Sequence, residues 1–590
     1  MTTSHRRVLG AGIAATALAA FVAGTPAAGA APSKHGPKPD LSTVQLLSIN
    51  DYHGNLEALP SMQLAADVDV DRTIAGGAEN LATKLSQLRA SAGDSHSLTV
   101  AAGDLIGGST FISGMFHDEP SVESLNAMGM DVSSVGNHEF DEGTTELLRM
   151  QRGGCHPTDG CYFPDAPYAG ADFQYLAANV VLKDKAAASS HKGSHGRDRT
   201  LLPATAIKKV DGVKVGFIGM TLEETPTLVN PSGVSTVDFK DEVETANAQA
   251  AVLKKKGVKA IVVLLHEGGL NAGTYNQCVG ISDPIATMAT QFSPDIDQII
   301  TGHTHDPYVC SIPDPAGNPR LVTSSAAQGM TVTESSLVVD RRTGEVDRAR
   351  STATNHLVPQ SLPDDPAQTA IIAKWNTLAG PLKGQVVGTH ATDILGSALN
   401  TNRTLETPMA DVVADAILDN TKGIGAQIGL MNVGGVRLDL PLLPPRYGEQ
   451  SGEITYAEAF DIAPFGNVYV ALDLTGAQLK QVLEQQFVPG RSRVQLALGV
   501  SAGFSYVWDG AQPAGSKVVP GSMTLNGAPI ADTDTVRVGT LNFLADGGDS
   551  FTAFKSGTNV VGGIGDLEGL VKYFQTHPGL TAPADRVSGL

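Results

Sequence analysis

Five apolar runs between residues 44 and 305 end the same way, handing Asp, Asn or His to the positions at their C-terminal edge. They are VQLLSINDYHG (Val44 to Gly54), SLTVAAGD (Ser97 to Asp104), Val132 to Val135 within DVSSVGNHEFD (Asp131 to Asp141), AIVVLLHE (Ala260 to Glu267) and DQIITGHTH (Asp297 to His305). Short apolar runs bounded by turn residues read as buried strands. In α/β sheets, strands release their functional side chains from the carboxyl end. Five such endings in one chain predict a shared metal site, because core packing gives no reason to repeat them.

Helical patterns alternate with these strands, for example Ala78 to Ala90 and Val243 to Lys256, so residues 41–355 read as a layered α/β domain. Lys183 to Arg199 (KDKAAASSHKGSHGRDR) interrupts it as a surface loop whose two histidines are solvated. Pro359 to Pro366 breaks the pattern, and Ala367 to Leu378 follows as one helix, giving a hinge over residues 356–384. Residues 385–590 are richer in strand patterns such as Asn467 to Asp473, with one amphipathic helix over Gly476 to Gln486. A chain of 590 residues is too long for one core, and two domains satisfy that limit.

Residues 1–30 have the layout of a signal peptide: Arg6 and Arg7, an apolar stretch from Val8 to Val22, then Ala28-Gly29-Ala30 for cleavage. The arginine pair resembles a twin-arginine export signal. Residues 31–40 follow as a Pro/Lys/Gly linker, and no later segment is apolar enough to anchor the chain in a membrane, so the mature protein is expected to be secreted. Losing the two arginines moves the formal charge from -20 to -22. So acidic a surface argues against nucleic-acid binding through a basic face, and phosphorylated substrates would need locally concentrated cations. Cys155, Cys161, Cys278 and Cys310 in an exported chain point to disulfides. Of three possible pairings, proximity favours Cys155 with Cys161, against a rival metal site made with His156.

Each polar ending has a bland reading. Asp51-Tyr52-His53 alone is a turn carboxylate beside a polar histidine, although alternation along an extended segment puts both side chains on one side. Asp104 suits helix amides, or the bridging of two cations. Asn137 and His138 are adjacent and in extended geometry point opposite ways. His266 closes an apolar run, and His303-Thr304-His305 again puts two imidazoles on one side.

Taken in order, D-x-H, G-D, G-N-H-E, a strand-end His and G-H-x-H resemble the calcineurin-type metallophosphoesterases. N-D-x-H-G with G-N-H-E-F-D is similar to their two-domain 5'-nucleotidase branch, over Leu41 to about Phe554. The resemblance implies a four-layer α/β/β/α N-terminal domain with a C-terminal α+β substrate-binding domain. It makes Asp51, His53, Asp104 and His305 the ligands of one divalent metal, and Asp104, Asn137, His266 and His303 those of a second. Mixed N and O donors suit Zn, Mn, Fe or Co. Two cations about 3.5–4 Å apart acidify a bridging water and hold phosphoryl oxygens. His138 would be the catalytic histidine, oriented by Asp141, whose bland alternative is a helix N-cap.

The same resemblance reads Asn432-Val433-Gly434-Gly435-Val436-Arg437 as the element in which Asn432 and Arg437 meet the substrate, with Arg403 as another substrate arginine. Phe465 (APFGN) and Phe543 (NFLADGGD) would sandwich a nucleobase, with Asp549 accepting ribose hydroxyls; on residue type alone the phenylalanines read as core anchors. The expected enzyme is a secreted dinuclear-metal 5'-nucleotidase acting on nucleoside 5'-monophosphates. Its rivals are a UDP-sugar hydrolase, a 2',3'-cyclic-nucleotide phosphodiesterase, and, in another class, a catalytically silent scaffold on the same fold.

Overall fold

The computed structural model describes residues 40–60, 62–93, 96–183, 199–398, 403–491 and 493–590. The signal peptide, the linker up to residue 39 and residues 184–198 of the surface insertion lie outside these, as do residues 399–402 beside Arg403.

Two six-stranded sheets form the N-terminal half. In the first, Leu41–Ile49, Ser97–Ala102, Val132–Ser134 and Gln174–Leu176 run parallel in that order, and Thr331–Asp340 pairs antiparallel with Leu41–Ile49 on the other side. In the second, Val213–Thr221, Ala260–His266, Gln298–Thr301 and Leu321–Ser324 are parallel neighbours. Val44, Leu46, Val100 and Val132 from one sheet meet Phe217, Val262, Leu264 and Ile300 from the other in a fully buried seam. Strands covered on both faces need the unbroken apolar runs seen in the sequence. Helices close the outer faces: Ala78–Ala92 and Glu119–Ala127 over the first sheet, Glu242–Lys255 over the second. The result is the expected α/β/β/α order, with five parallel strands ending along a common edge.

The C-terminal half is built on a mixed five-stranded sheet, ordered Leu498–Val500, Ile428–Asn432, Thr535–Leu541, Val468–Thr475 and Thr558–Gly565. Helix Pro408–Thr421 is buried along most of its length against it, capped by the Thr407 hydroxyl on the Ala410 amide. Ile428–Asn432 and Thr535–Leu541 are parallel, so both present their carboxyl ends on one edge.

Helix Pro366–Lys383, expected within the hinge, carries a stripe of Ile371, Trp375 and Ala379 at helical spacing, and that stripe is buried in the N-terminal core. The Trp375 ring packs against Phe116 and Phe163, with centroids at 5.2 and 5.0 Å, and its Nε1 donates to Glu123 Oε2 at 2.8 Å. Across the two halves, the Phe111 amide donates to Asp461 Oδ1 at 2.7 Å and the Phe111 ring meets Phe460 edge-on.

The cysteines pair as Cys155–Cys161 and Cys278–Cys310. Cys155–Cys161 closes a loop that is also held electrostatically. His117 stacks on His156 with centroids 3.7 Å apart and bonds Glu142 Oε2 at 2.7 Å through Nδ1 and Asp159 Oδ2 at 2.8 Å through Nε2. Burial works against a charge on His117, but the bonds to Glu142 and Asp159 outweigh it and raise its pKa to about 9.

Two outcomes follow. Trp375→Ala removes the buried indole and should destabilise the N-terminal half by about 3–5 kcal/mol, read as a lower denaturant midpoint. For His117 the folded pKa lies above its ordinary 6.5, so its stabilisation is complete below that value and is lost as pH rises through about 9. The melting temperature of His117→Gln should fall below wild type at pH 6.5, and the gap should close above pH 9. A gap unchanged across that range would show that the imidazolium contributes nothing.

Candidate dinuclear metal centre

The common edge of the two N-terminal sheets holds two triplets whose ligand atoms lie within 4.8 Å of one another: Asp51, His53 and His305, and Asp104, His266 and His303. Asp104 stands between them, its Oδ2 at 2.9 Å from His266 Nε2 and 3.8 Å from His53 Nε2. His305 Nε2 is 3.3 Å from both Asp51 Oδ1 and His53 Nε2. Asn137 Oδ1 comes within 3.1 Å of His303 Nδ1. All seven residues singled out as ligands are therefore in one place.

Local backbone explains how. Asp51, His53, Asp104, His303 and His305 all have left-handed φ, between 48° and 71°. Such a residue is strained by about 1–3 kcal/mol and persists where its surroundings hold it. This corrects the reading of D-x-H and H-x-H as extended segments with side chains on one side. The chain coils at both motifs, and His303 and His305 go to different triplets. Asn137 is likewise helical in backbone (φ -74°, ψ -36°) and opens a short 3-10 turn, His138–Phe140, so turn geometry, not strand alternation, separates it from His138. Glycines allow the close approach: a Cβ on Gly103 would sit 2.5 Å from the Gly136 amide.

The residues behind the ligands fix their protons. His53 Nδ1 lies 2.7 Å from the Gly107 carbonyl and His266 Nδ1 2.7 Å from that of Ala102. A carbonyl only accepts, so each Nδ1 carries the hydrogen and each Nε2 turns a lone pair into the cluster. His266 Nε2, though 2.9 Å from Asp104, is out of line for a hydrogen bond and has no such partner among the described residues. Burial holds His53, His303 and His305 well below the usual imidazole range, which keeps them neutral as ligands must be. Burial opposes charge on His266 too, yet Asp104 and Asp51 raise its pKa to about 10. The carboxylates thus draw positive charge to the cluster even against burial, and a donor set of carboxylates and imidazoles fits divalent cations.

His138 lies beside the cluster, with Nδ1 2.8 Å from Asp141 Oδ2. The same oxygen accepts the Gly108 amide at 3.1 Å. Helix Gly143–Arg152 begins after Glu142, so Asp141 is not its cap. Burial opposes charge on His138, but Asp141 and Asp104 outweigh it and raise the pKa.

The C-terminal edge faces this group. Phe465 lies nearly parallel to the His138 ring, with centroids at 5.7 Å, under the Arg437 guanidinium. Asn432 Nδ2 donates to Asp549 Oδ2 at 2.7 Å. His138, Arg403, Asn432, Arg437, Phe465, Phe543 and Asp549 line one cavity of about 610 Å³. Both phenylalanines are only partly buried there, so neither is a plain core anchor.

Two residues escaped the sequence reading. Glu139 lies within G-N-H-E, yet its carboxylate is spent inward on the amides of Asp104 (2.9 Å), Leu105 (2.8 Å) and Gly136 (2.5 Å). Its place in the motif was the only signal. Arg493 carries none: it stands in an irregular loop and reaches the cluster only through the fold, donating from Nη2 to the His303 carbonyl at 3.1 Å.

Both halves of the chain resemble known proteins. The calcineurin-like phosphoesterase profile matches residues 45–307, and the 5'-nucleotidase C-terminal domain profile matches residues 386–556. Endonuclease YhcR of Bacillus subtilis is 32% identical over 92% of this chain, which spans 40% of that protein's length. Cell wall protein Lmo0130 of Listeria monocytogenes is 30% identical, with 91% of this chain and 67% of that protein covered. The crystal structure of a 5'-nucleotidase precursor from Thermus thermophilus superposes with a TM-score of 0.73 at 26% identity, over 93% of this chain and 99% of that one. Matches to both halves, with likeness along nine-tenths of this chain to the Listeria protein and the Thermus structure, lead to one conclusion: the chain belongs to the two-domain 5'-nucleotidase family of metal-dependent phosphoester hydrolases.

Proposed function

We propose that this protein is an exported 5'-nucleotidase that releases phosphate from nucleoside 5'-monophosphates, using two divalent metals drawn from Zn, Mn, Fe or Co. The observation that carries the reading is the cavity in which Asn137 and His303, at the edge of the metal-ligating cluster, meet the paired His138, Arg403, Arg437 and the two phenylalanines. Asp51, His53, Asp104 and His305 hold one ion, and Asp104, Asn137, His266 and His303 the other. When bound, such a pair acidifies a water molecule and neutralises phosphoryl oxygens. Arg403 and Arg437 take the remaining phosphate oxygens through charge-assisted hydrogen bonds. His138, protonated and oriented by Asp141, stands ready to give its proton to the departing 5'-oxygen. The base stacks at Phe465 and Phe543, and Asp549, held by Asn432, accepts ribose hydroxyls. The division of labour follows the chain: residues 41–355 supply the chemistry, 385–590 choose the substrate, and 356–384 join them.

Export rests on the sequence of residues 1–30 and on the likeness to a cell wall protein. No helix among the described residues is long and apolar enough to cross a membrane.

Asp104→Ala should lose bound metal and activity together, because its carboxylate stands between both triplets. His138→Ala should keep its metal while turnover falls by about 10²–10⁴-fold, the usual scale of general acid catalysis. Metal analysis of the two purified variants separates these roles, and equal metal loss would move His138 into the coordination shell. Base stacking contributes about 1–3 kcal/mol per base in single-strand binders. Phe465→Ala and Phe543→Ala should therefore raise the KM for AMP about 5- to 100-fold and leave p-nitrophenyl phosphate hydrolysis nearly unchanged. Parallel activity against AMP, UDP-glucose, 2',3'-cyclic AMP and bis(p-nitrophenyl) phosphate tests the substrate class, and failure on AMP alone would reject the nucleotidase reading.

A further inference from the structure

His138 can serve as an acid only while its ring is held by Asp141, and Asp141 is itself held from two sides by one corner of the chain, His117-Asp118. Asp118 Oδ2 accepts the Gly107 amide at 2.9 Å, which fixes the Gly107-Gly108 turn, and the Gly108 amide donates to Asp141 Oδ2 at 3.1 Å. The fit leaves no slack: a Cβ on Gly107 would run into the His138 carbonyl and come within 2.8 Å of Asp141 Oδ2. On the other side, His117 Nδ1 bonds Glu142 Oε2 at 2.7 Å, and a peptide bond joins Glu142 to Asp141. His117 and Asp118 both have left-handed φ, 50° and 59°, so the backbone turns sharply at the corner and sends one side chain to each arm of the brace.

The corner is anchored from behind. His117 Nε2 bonds Asp159 Oδ2 at 2.8 Å and His156 stacks on the ring, both from the loop that Cys155–Cys161 closes. With a carboxylate at each nitrogen, the charged imidazole donates on both sides and bridges the disulfide loop to the segment carrying Asp141. His117, Glu142, Glu146 and His156 lie close enough together to suggest a further metal site. Their donor atoms are already committed: Glu146 accepts Arg149 Nη2 and Nε at 2.6 and 2.9 Å, and His156 Nδ1 accepts the Asp159 amide at 3.1 Å. Stacked rings only 18° from parallel also aim their nitrogens side by side instead of at a common point. What this cluster can do is hold a position.

We propose that His117 is a positioning residue for proton transfer, acting through Glu142 on Asp141 and so on the direction in which His138 presents its proton. Asp118, on the same corner, holds the second arm through Gly107. The proposal rests on the reading of His138 as the general acid. His117 reaches the wall of the nucleotide cavity, but both of its ring nitrogens are bound to carboxylates, which leaves it nothing to offer a phosphate. A misplacement of about 1 Å at a catalytic group can cost about 10²-fold in rate, so a brace one residue removed from the pair is enough to matter. No motif marks His117, because its partners Glu142 and Asp159 lie 25 and 42 positions away along the chain.

The test uses the metal-loaded full-length enzyme and two base-free monoesters. Phenolate leaves less readily than p-nitrophenolate and depends more on a proton from His138, so phenyl phosphate reports on the acid and p-nitrophenyl phosphate on the metals. His117→Gln should lower kcat for phenyl phosphate about 10-fold or more and for p-nitrophenyl phosphate less than about 3-fold. KM for both esters and for AMP should stay within about 3-fold, with metal content unchanged. Glu142→Ala, at a side chain 44% exposed and so the safer variant for folding, should give the same split. Glu142→Gln still offers an oxygen to His117 and should recover most of the lost rate. His138→Ala supplies the reference and should show a larger split. A split confined to His138→Ala would overturn the proposal, as would equal losses on both esters or lost metal, which would leave His117 a support of the fold. A raised KM at unchanged kcat would also overturn it, by making His117 a substrate contact. No split in any variant, His138→Ala included, would remove the acid and the proposal with it. Wild-type failure on AMP would reject the nucleotidase reading alone, because the phenyl esters carry no base.

Discussion

Two carboxylates, Asp51 and Asp104, lie at 0% and 1% exposure among four histidines, and the architecture around them follows from making that tolerable. Buried anions of this kind require cations, and cations require several donors converging from different directions. No single strand or helix can supply such convergence. Five strand ends on two sheets can, provided the chain turns sharply as it leaves each strand. The five left-handed residues Asp51, His53, Asp104, His303 and His305 are those turns. Their strain is held in place by bonds that leave little freedom: Asn50 Nδ2 to Asp51 at 2.7 Å, the His303 amide to the same carboxylate at 3.0 Å, and Glu139 beneath Asp104.

Stacking two parallel-stranded sheets is what lets the donors come from opposite walls. Asp51, Asp104 and Asn137 leave the first sheet, and His266, His303 and His305 leave the second. The buried seam of valine, leucine and isoleucine fixes the spacing of the sheets, and so the spacing of the donors. A cavity opened in that seam would therefore loosen the donor geometry as well as the core. The C-terminal half repeats the principle more simply, with Asn432 at one parallel strand end and Phe543 just past another.

Much of this was legible because a strand buried on both faces writes an unbroken apolar run, and its end is marked by the first polar residue. The apolar runs located the strands and the polar residues at their ends, and helix Glu242–Lys255 was read within a residue or so; the assignment of those polar residues to two metals came from the family resemblance. Backbone conformation was not legible. Nothing in Asp-Tyr-His reveals that both flanking residues are left-handed, so the alternation argument grouped the right residues for the wrong reason. Glu139 was hidden by its own motif, since a carboxylate among exposed-looking polar residues gives no sign that it faces inward. Arg493 was invisible for the opposite reason: its environment comes entirely from a contact between segments nearly two hundred positions apart.

The charge of the chain makes that contact more than incidental. At -20 overall, the surface repels nucleotides, so attraction has to be generated locally and shielded from the surrounding carboxylates. An arginine paired with an aspartate would contribute little, because its field is already cancelled. Arg403, Arg437 and Arg493 avoid this by standing where the neighbouring acids are committed elsewhere: Asp51 and Asp104 to the metal-ligating cluster, Asp141 to His138, and Asp549 to Asn432. Glu267 is a further acid that favours the charge on Arg493, and its carboxylate accepts the Gly268 amide. An acidic protein can thus keep a cationic seat for phosphate only if its site carboxylates are all engaged, and removing Asn432 or His138 would release one of them toward the arginines. On the proposed reading, substrate affinity is in this way tied to residues that need never touch the phosphate.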